Sequence, residues 1–301
     1  MEHAIAWPVK TREMHSHHFD STVWNDLTFR DDDIVIATYA KSGTTWVQQI
    51  VSQLIFQGDV PGAIGDISPW VDLRVPPKEV KLEALEAQTH RRFLKTHLPV
   101  DALRFSRDAK YIYIGRDGRD VVWSFFNHFR NGNDELYAAL NDTPGLVGPP
   151  MPRLPDDVHA VYREWFDQDG SPLWSFWENI RSWWEIRNLP NVMLLHFADL
   201  KSDMEREMRT IANFLEITIP EQLWPTLVEH CGFAHMKANA DQSAPLGGTL
   251  WNGGGATFIN KGTNGRWRDT LTAEECAAYE ARAVAELGED CARWLRDGSI
   301  A

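Results

Sequence analysis

Four short runs of apolar, β-favouring residues punctuate the sequence: DIVIAT at 33–38, RFLKTH at 92–97, KYIYIGR at 110–116 and NVMLLHF at 191–197. They are nearly continuous in apolar character, which is the pattern of strands covered on both faces. Segments with helical patterning lie among them, at 44–57, 117–130, 174–187 and 199–214. Strands alternating with helices make a parallel sheet between helical layers. The expected fold class is therefore α/β: a three-layer sandwich with a central, mostly parallel sheet. Right-handed crossovers bring the strand C-terminal ends to one edge, where ligands bind.

A chain of 301 residues, 43% of them hydrophobic, suits one domain spanning 1–301. Two stretches break the alternation. Residues 131–173 contain NDTPGLVGPPMPRLPDD and read as an irregular insertion over the site. Residues 238–257 read as a mobile loop. From Thr272 onward the tail is helical and amphipathic. Fourteen tryptophans are read as mainly core, with some free to line a pocket for a planar ligand.

Charge and cysteine usage narrow the function. A net charge of −13 argues against nucleic acid and anionic membranes as partners. Any bound anion must instead meet a local cluster of basic groups. No stretch approaches the roughly 20 apolar residues of a bilayer span, and the N-terminus lacks a secretory core. Cys231, Cys276 and Cys291 show no metal-type spacing, so a cytoplasmic, reducing location is expected. His15, His17 and His18 form a HSHHF cluster. Without further ligands at metal spacing it reads as a solvated N-terminal segment.

Directly after the first strand comes YAKSGTTW, residues 39–46. A strand, a Gly-containing turn and a helix make a phosphate-cradling loop. In an NTPase loop the lysine stands at the end, next to the helix; here Lys41 leads. Gly43 allows close backbone approach. The amides of residues 42–45 open a helix, so Ser42 and its neighbours sit where anions are attracted. Thr44 and Thr45 add hydroxyls, and Trp46 offers a stacking face. The same residues would also suit an ordinary capped strand-to-helix turn.

Three later segments carry compatible chemistry. In RRFLKTHLP (91–99), Lys95 and His97 fall on one side of a strand end, because side chains alternate with period two. A histidine paired with a lysine at the ligand edge is a candidate general base, although a lone one is more often structural. In YIYIGRDGRDVVWSFFNHF (111–129), Arg116 ends a strand and Ser124 lies two turns along the next helix. Arg116 can fork onto a phosphate or pair with Asp117 or Asp120. FINKGTNGRWRD (258–269) is a basic Lys-Gly turn in an acidic chain, or else a solvated one.

Together these motifs resemble the cytosolic sulfotransferases, which use 3′-phosphoadenosine 5′-phosphosulfate (PAPS) and leave adenosine 3′,5′-bisphosphate (PAP). The resemblance runs from about residue 33 to 275. KSGTTW resembles the family's 5′-phosphosulfate loop, KTHLP its catalytic strand, and GRDGRDVVWSFF its Arg-x₇-Ser segment for the 3′-phosphate. KGTNGRW is similar to its late Arg-Lys-Gly loop, and GSPLWSFWENIRSWWE (170–185) to the helix after the insertion. The resemblance implies a P-loop NTPase-like sulfotransferase fold with no metal requirement. It implies His97 as base, with Lys41 and Lys95 near the transferred group. Lys41, Ser42, Gly43, Thr44 and Thr45 would hold the 5′ end. Arg116, Ser124, Lys261 and Gly262 would hold the 3′-phosphate, with Trp46, Phe197 and Phe233 around the adenine. SPWVDLRVPP (68–77) resembles the acceptor-lining segment, so Trp70 joins Phe125 and His128 as pocket residues for a small-molecule acceptor.

The sequence also departs from the family pattern. Asn260 stands where an arginine is usual, which leaves Arg266 or Arg268 to replace its contact. Phe197 stands at a usual tyrosine and Ala40 at a usual proline. Of the vertebrate dimer motif, only Thr272 matches among Arg268, Thr272, Ala273 and Ala277, so both monomer and homodimer remain open. Two other function classes fit parts of the sequence: a P-loop kinase or NTPase, and a catalytically silent nucleotide-binding protein on the same fold.

Overall fold

The strand candidates are the strands. In the computed structural model, which describes residues 6–298, β1 (Ile34–Thr38), β2 (Phe93–Thr96), β3 (Lys110–Gly115) and β4 (Val192–His196) form one sheet in the order β2-β1-β3-β4. All three pairings are parallel, with Ile34 opposite both Phe93 and Lys110. Period-two alternation sorts the strand side chains into two cores. Ile34, Ile36, Phe93, Ile112 and Ile114 pack under Val47, Ile50, Val51 and Leu54 of the helix Thr44–Phe56, and under Met208 and Ile211 of Met204–Phe214. Val35, Ala37, Leu94, Tyr111 and Tyr113 face the opposite layer, with Val121, Trp177, Trp183 and Trp294. This is the three-layer α/β sandwich, and most of the tryptophans lie in its cores.

The segment read as one helix over 199–214 is two, Phe197–Ser202 and Met204–Phe214. Asp203 leaves helical geometry at φ −149° and ψ 82°, and its side chain accepts from the Arg206 amide. A carboxylate in that position caps a new helix start.

The reading of 131–173 as irregular is corrected in part. Two helices, Asp134–Asn141 and Val158–Asp167, lie within it. Asn133 and Asp157 cap them through side-chain bonds to the Leu136 and His159 amides. The Pro/Gly-dense stretch between them lacks regular structure, and residues 168–173 form turns. Arg74 pins this insertion to the 68–77 segment. Its guanidinium donates to the carbonyls of Leu140 (2.5 Å), Thr143 (2.9 Å) and Pro144 (3.0 Å). A cation thus satisfies the orphan carbonyls at a helix C-terminus.

The 238–257 segment is built from short helical turns, Ala240–Ser243 and Pro245–Gly248, leading into Gly255–Phe258. It plants the buried Trp251 against His128, whose carbonyl accepts from the indole N–H at 3.1 Å. The tail helix Ala273–Leu287 begins with a capping box between Thr272 and Glu275. Among the described residues, no helix is long and apolar enough to cross a membrane.

The register of the first two strands is clamped at the end away from their C-termini. Arg92 grips Asp33 in a two-point fork, Nε to Oδ1 at 2.8 Å and Nη2 to Oδ2 at 2.6 Å, with both side chains fully buried. Arg92 also donates to the Thr28 carbonyl at 2.8 Å. Removing one partner of such a pair strands a charge in low dielectric. Asp33→Ala is expected to cost about 3–5 kcal/mol in a denaturant titration; a loss below about 1 kcal/mol, the value of a surface pair, would mean that the clamp is dispensable.

Candidate active site

The C-terminal ends of the strands open into a cavity of about 770 Å³. Lys41, Gly43, Thr44, Thr45 and Trp46 supply one wall, Lys95 and His97 another, and Arg116 and Ser124 a third. The insertion contributes Leu136, Ala139 and Leu140, and the late loop contributes Lys261, Gly262 and Arg266.

Gly43 is what lets the first loop come so close. Its φ of 117° lies in the left-handed region, and a Cβ there would come within 2.9 Å of the Phe197 ring. Among the described residues, the amides of Gly43, Thr44 and Thr45 donate to no backbone acceptor, so they remain available at the start of a 13-residue helix. The Thr45 and Ser124 hydroxyls make no hydrogen bond among the described residues, and both reach the cavity. Loose N–H and O–H donors around a glycine-cleared hollow fit a phosphate or sulfate ester.

Ser42 does not join this cradle. Its amide is spent on the Tyr39 carbonyl at 3.3 Å, and its side chain is sealed inside with no partner among the described residues. The turn that brings Lys41 and Gly43 to the front points the intervening side chain to the rear.

At the end of β1, Thr38 ties the base candidate to the loop. His97 Nδ1 lies 2.8 Å from the Thr38 carbonyl and 2.9 Å from its hydroxyl, and that hydroxyl meets Thr44 Oγ1 at 2.7 Å. A carbonyl only accepts, so Nδ1 carries the proton and Nε2 keeps its lone pair. Burial, reinforced by Lys95, holds His97 well below the ordinary histidine range, so the ring is neutral. Lys95 lies 4.3 Å over the Trp70 ring. Asp72 braces both: it accepts from the indoles of Trp24 (3.0 Å) and Trp70 (2.7 Å) and from the His97 amide (3.2 Å).

Lys41 sits at φ 66° with Nζ 2.9 Å from His128 Nδ1. Burial, then the charges of Lys95 and Arg116, bring it down to about 7; burial brings Lys95 to about 8. Among the described residues neither lysine forms an ion pair. Two desolvated amines with no ion-pair partner mark a place built for an anion.

Arg116 pairs with neither neighbouring aspartate. Asp117 is taken by Arg119 at 2.7 Å, and Asp120 accepts from the Gly265 amide at 2.6 Å. The Arg116 guanidinium instead reaches Asn264 Oδ1 (2.9 Å), the Thr263 carbonyl (3.0 Å) and the Lys41 carbonyl (3.1 Å). It lies 4.0 Å over the Phe197 ring, whose centroid is 5.3 Å from that of Trp46. Burial lowers it to about 10, still charged at neutral pH. Phe233 stands at the rim, 44% exposed. Gly262, at φ 58°, passes so near that a Cβ would come within 2.9 Å of it. Of the two candidates to stand in for an arginine at Asn260, Arg266 lines the cavity and Arg268 does not.

Two pocket expectations diverge. Trp70 and His128 line the cavity, whereas Phe125 is buried against Phe129, ring centroids 5.0 Å apart, away from it. Ser124, His128 and Phe129 of the same helix line the cavity, and Phe125, one turn before Phe129 on its face, packs against that ring instead. The HSHHF reading also changes. His17 and His18 are buried, and His18 lines the cavity. Among the described residues, no three His, Cys, Asp or Glu side chains gather as a metal site would need. Trp174, Trp251 and Lys201 are further wall residues that sequence reading missed. The aromatic and polar residues of 170–176 and 248–252 were the available signal for the first two.

The model of the sulfotransferase domain family matches residues 31–289. A glycolipid sulfotransferase of Mycobacterium tuberculosis is 31% identical over 304 residues, covering 93% of this chain and 92% of that protein. Human sulfotransferase 1E1 is 33% identical over 251 residues, covering 81% and 79%. The crystal structure of mouse sulfotransferase SULT7A1 complexed with PAP superposes with a TM-score of 0.70 at 22% identity, covering 91% and 92%. The protein belongs to the sulfotransferase family.

Proposed function

We propose that the protein, a sulfotransferase using PAPS, sulfates a hydroxyl or amine of a small hydrophobic acceptor, with His97 as the general base. The observation that carries this reading is the fixed tautomer of His97. Thr38 holds its Nδ1 proton, and Nε2 opens onto the cavity that Lys41, Lys95 and the free loop amides share. PAPS supplies the sulfuryl group and departs as PAP. His97 Nε2 takes the acceptor's proton. Lys41 and Lys95 neutralise charge on the transferred group and the leaving oxygen, the role that metal ions play in phosphoryl transfer. Gly43, Thr44 and Thr45 hold the 5′ end, and Arg116, Ser124, Lys261, Gly262 and Arg266 hold the 3′-phosphate. Trp46, Phe197 and Phe233 form the adenine slot.

The acceptor enters from the other side. Leu140, Phe129, Trp70 and Trp174 wall that end, which suits an apolar body with one reactive hydroxyl. The mycobacterial relative is named for a glycolipid, also an apolar body bearing hydroxyls. The chain acts as one domain, and its three free cysteines support a cytoplasmic setting. A kinase reading lacks the terminal Gly-Lys-Ser/Thr, and a silent binder has no need of a tautomer-fixed histidine.

Thermal unfolding with PAP, ATP–Mg²⁺ and AMP tests the donor. PAP at 100 times its dissociation constant adds about 2.7 kcal/mol, which is expected to raise the midpoint by roughly 5 °C or more. A shift with ATP–Mg²⁺ alone would reassign the protein to the kinases. His97→Ala is expected to cut kcat about 10²–10⁴-fold while PAP affinity stays within about twofold; retained turnover would remove His97 from the base role. Arg116→Ala is expected to weaken PAP by about 2 kcal/mol, roughly thirtyfold, and to weaken adenosine 5′-phosphosulfate, which lacks the 3′-phosphate, far less. Equal weakening of the two, by isothermal titration, would overturn that assignment.

A further inference from the structure

His18 brings into the acceptor end of the cavity an unpaired imidazole nitrogen that the proposed transfer chemistry does not use. Its tautomer follows from a short relay. His17 Nε2 lies 2.9 Å from the Pro172 carbonyl, so that nitrogen carries the proton and donates. His17 Nδ1 is then an acceptor, and it lies 2.5 Å from His18 Nδ1. His18 Nδ1 must be the donor, which leaves the lone pair on His18 Nε2. Burial first, and then the neighbouring basic groups, keep both rings below the ordinary histidine range, so the neutral assignment holds at neutral pH.

The surroundings of His18 are aromatic. Trp70, Phe129 and Trp174 pack around its ring at centroid distances of 5.9, 5.8 and 6.1 Å. His97 touches two of the same rings, Trp70 at 4.6 Å and Trp174 at 5.7 Å. The side chain is 95% buried, since only 5% of it is exposed. Its Nε2 has no hydrogen-bond partner among the described residues, yet it is not among the sealed, unpartnered atoms. It therefore opens onto the cavity that His18 lines. A lone pair in such a wall goes unsatisfied against an apolar ligand and is satisfied by one that brings an O–H.

We propose that His18 is a specificity-determining residue: its Nε2 accepts a hydrogen bond from a second hydroxyl of the acceptor, so that hydrophobic diols are preferred over monohydroxy compounds. This rests on the reading of the cavity as a sulfotransfer site with His97 as base. One hydroxyl meets His97 and reacts; another, on the same ring or the next, meets His18 and does not.

The test measures kcat/KM at saturating PAPS for catechol, resorcinol and hydroquinone, for their monomethyl ethers and for phenol, in the wild type, His18→Phe and His18→Gln. The wild type is expected to favour at least one diol over its own ether and over phenol by about tenfold or more. His18→Phe keeps a ring in the aromatic wall and removes the lone pair. It is expected to bring that ratio within about twofold while turnover of the ether stays near wild type. His18→Gln restores an accepting oxygen and is expected to recover part of the preference. Should His18→Phe fail to give the wild-type PAP thermal shift, the decision passes to His18→Gln, where a complete loss of the preference overturns the proposal. An unchanged ratio in His18→Phe, or no preferred diol in the wild type, also overturns it and leaves the sulfotransferase reading standing. Sulfation of none of the seven by a wild type that binds PAP would overturn the small-acceptor reading, and this inference with it.

Discussion

The hydrogen bonds at the end of β1 organise the rest of the site. Thr38 is the last residue of a fully buried strand, and both of its polar groups face the neighbouring elements. The carbonyl takes the His97 proton, and the hydroxyl bridges His97 to Thr44. One residue therefore sets the tautomer of His97 and its distance from the helix that begins at Thr44. The arrangement needs β1 and β2 to pair in the observed register, Ala37 beside Thr96. A two-residue slip would keep the faces but separate Thr38 from His97. The Asp33–Arg92 clamp at the far end and Asp72 behind the His97 amide hold that register from both sides.

The second organising feature is charge. The chain as a whole is strongly acidic, yet the ends of its strands collect Lys41, Lys95 and Arg116 around one cavity. Its walls are largely apolar and aromatic, which makes each charge expensive alone and effective against an anion. Asp72 is the carboxylate close enough to support Lys95, and its oxygens are already committed to two indoles and an amide. The protein thereby holds a cationic centre without neutralising it.

Much of this was legible in the sequence, for reasons that differ by element. The strands were readable because burial on both faces removes the need for polar residues, as in DIVIAT. The loop residues were readable as neighbours because they are local: Lys41, Gly43, Thr44 and Thr45 line the cavity from adjacent positions on one turn. Ser42 was misplaced because the turn sends it inward, and Phe125 because it packs against Phe129, the ring that lines the cavity from the same helix face. The insertion helices were hidden by the proline and glycine between them, although Asn133 and Asp157 were proper caps. Asp72, His18 and Trp174 were not legible as site residues. Their positions follow from tertiary packing of the N-terminal segment, the 68–77 segment and the post-insertion turn, which no periodicity records.

The state of Lys41 reaches beyond the site. With its affinity for protons brought down to about 7, this lysine changes charge near neutral pH. In the binding mode proposed above, a polyanionic nucleotide at its side would stabilise the ammonium form, so the bound complex would carry more protons than its separate parts. Nucleotide affinity would then strengthen as pH falls toward that value. The heat of association would also depend on the ionisation enthalpy of the buffer that gives up the proton. Burial of one amine would thus make this cavity a point of proton exchange with the solvent each time the nucleotide arrives or leaves.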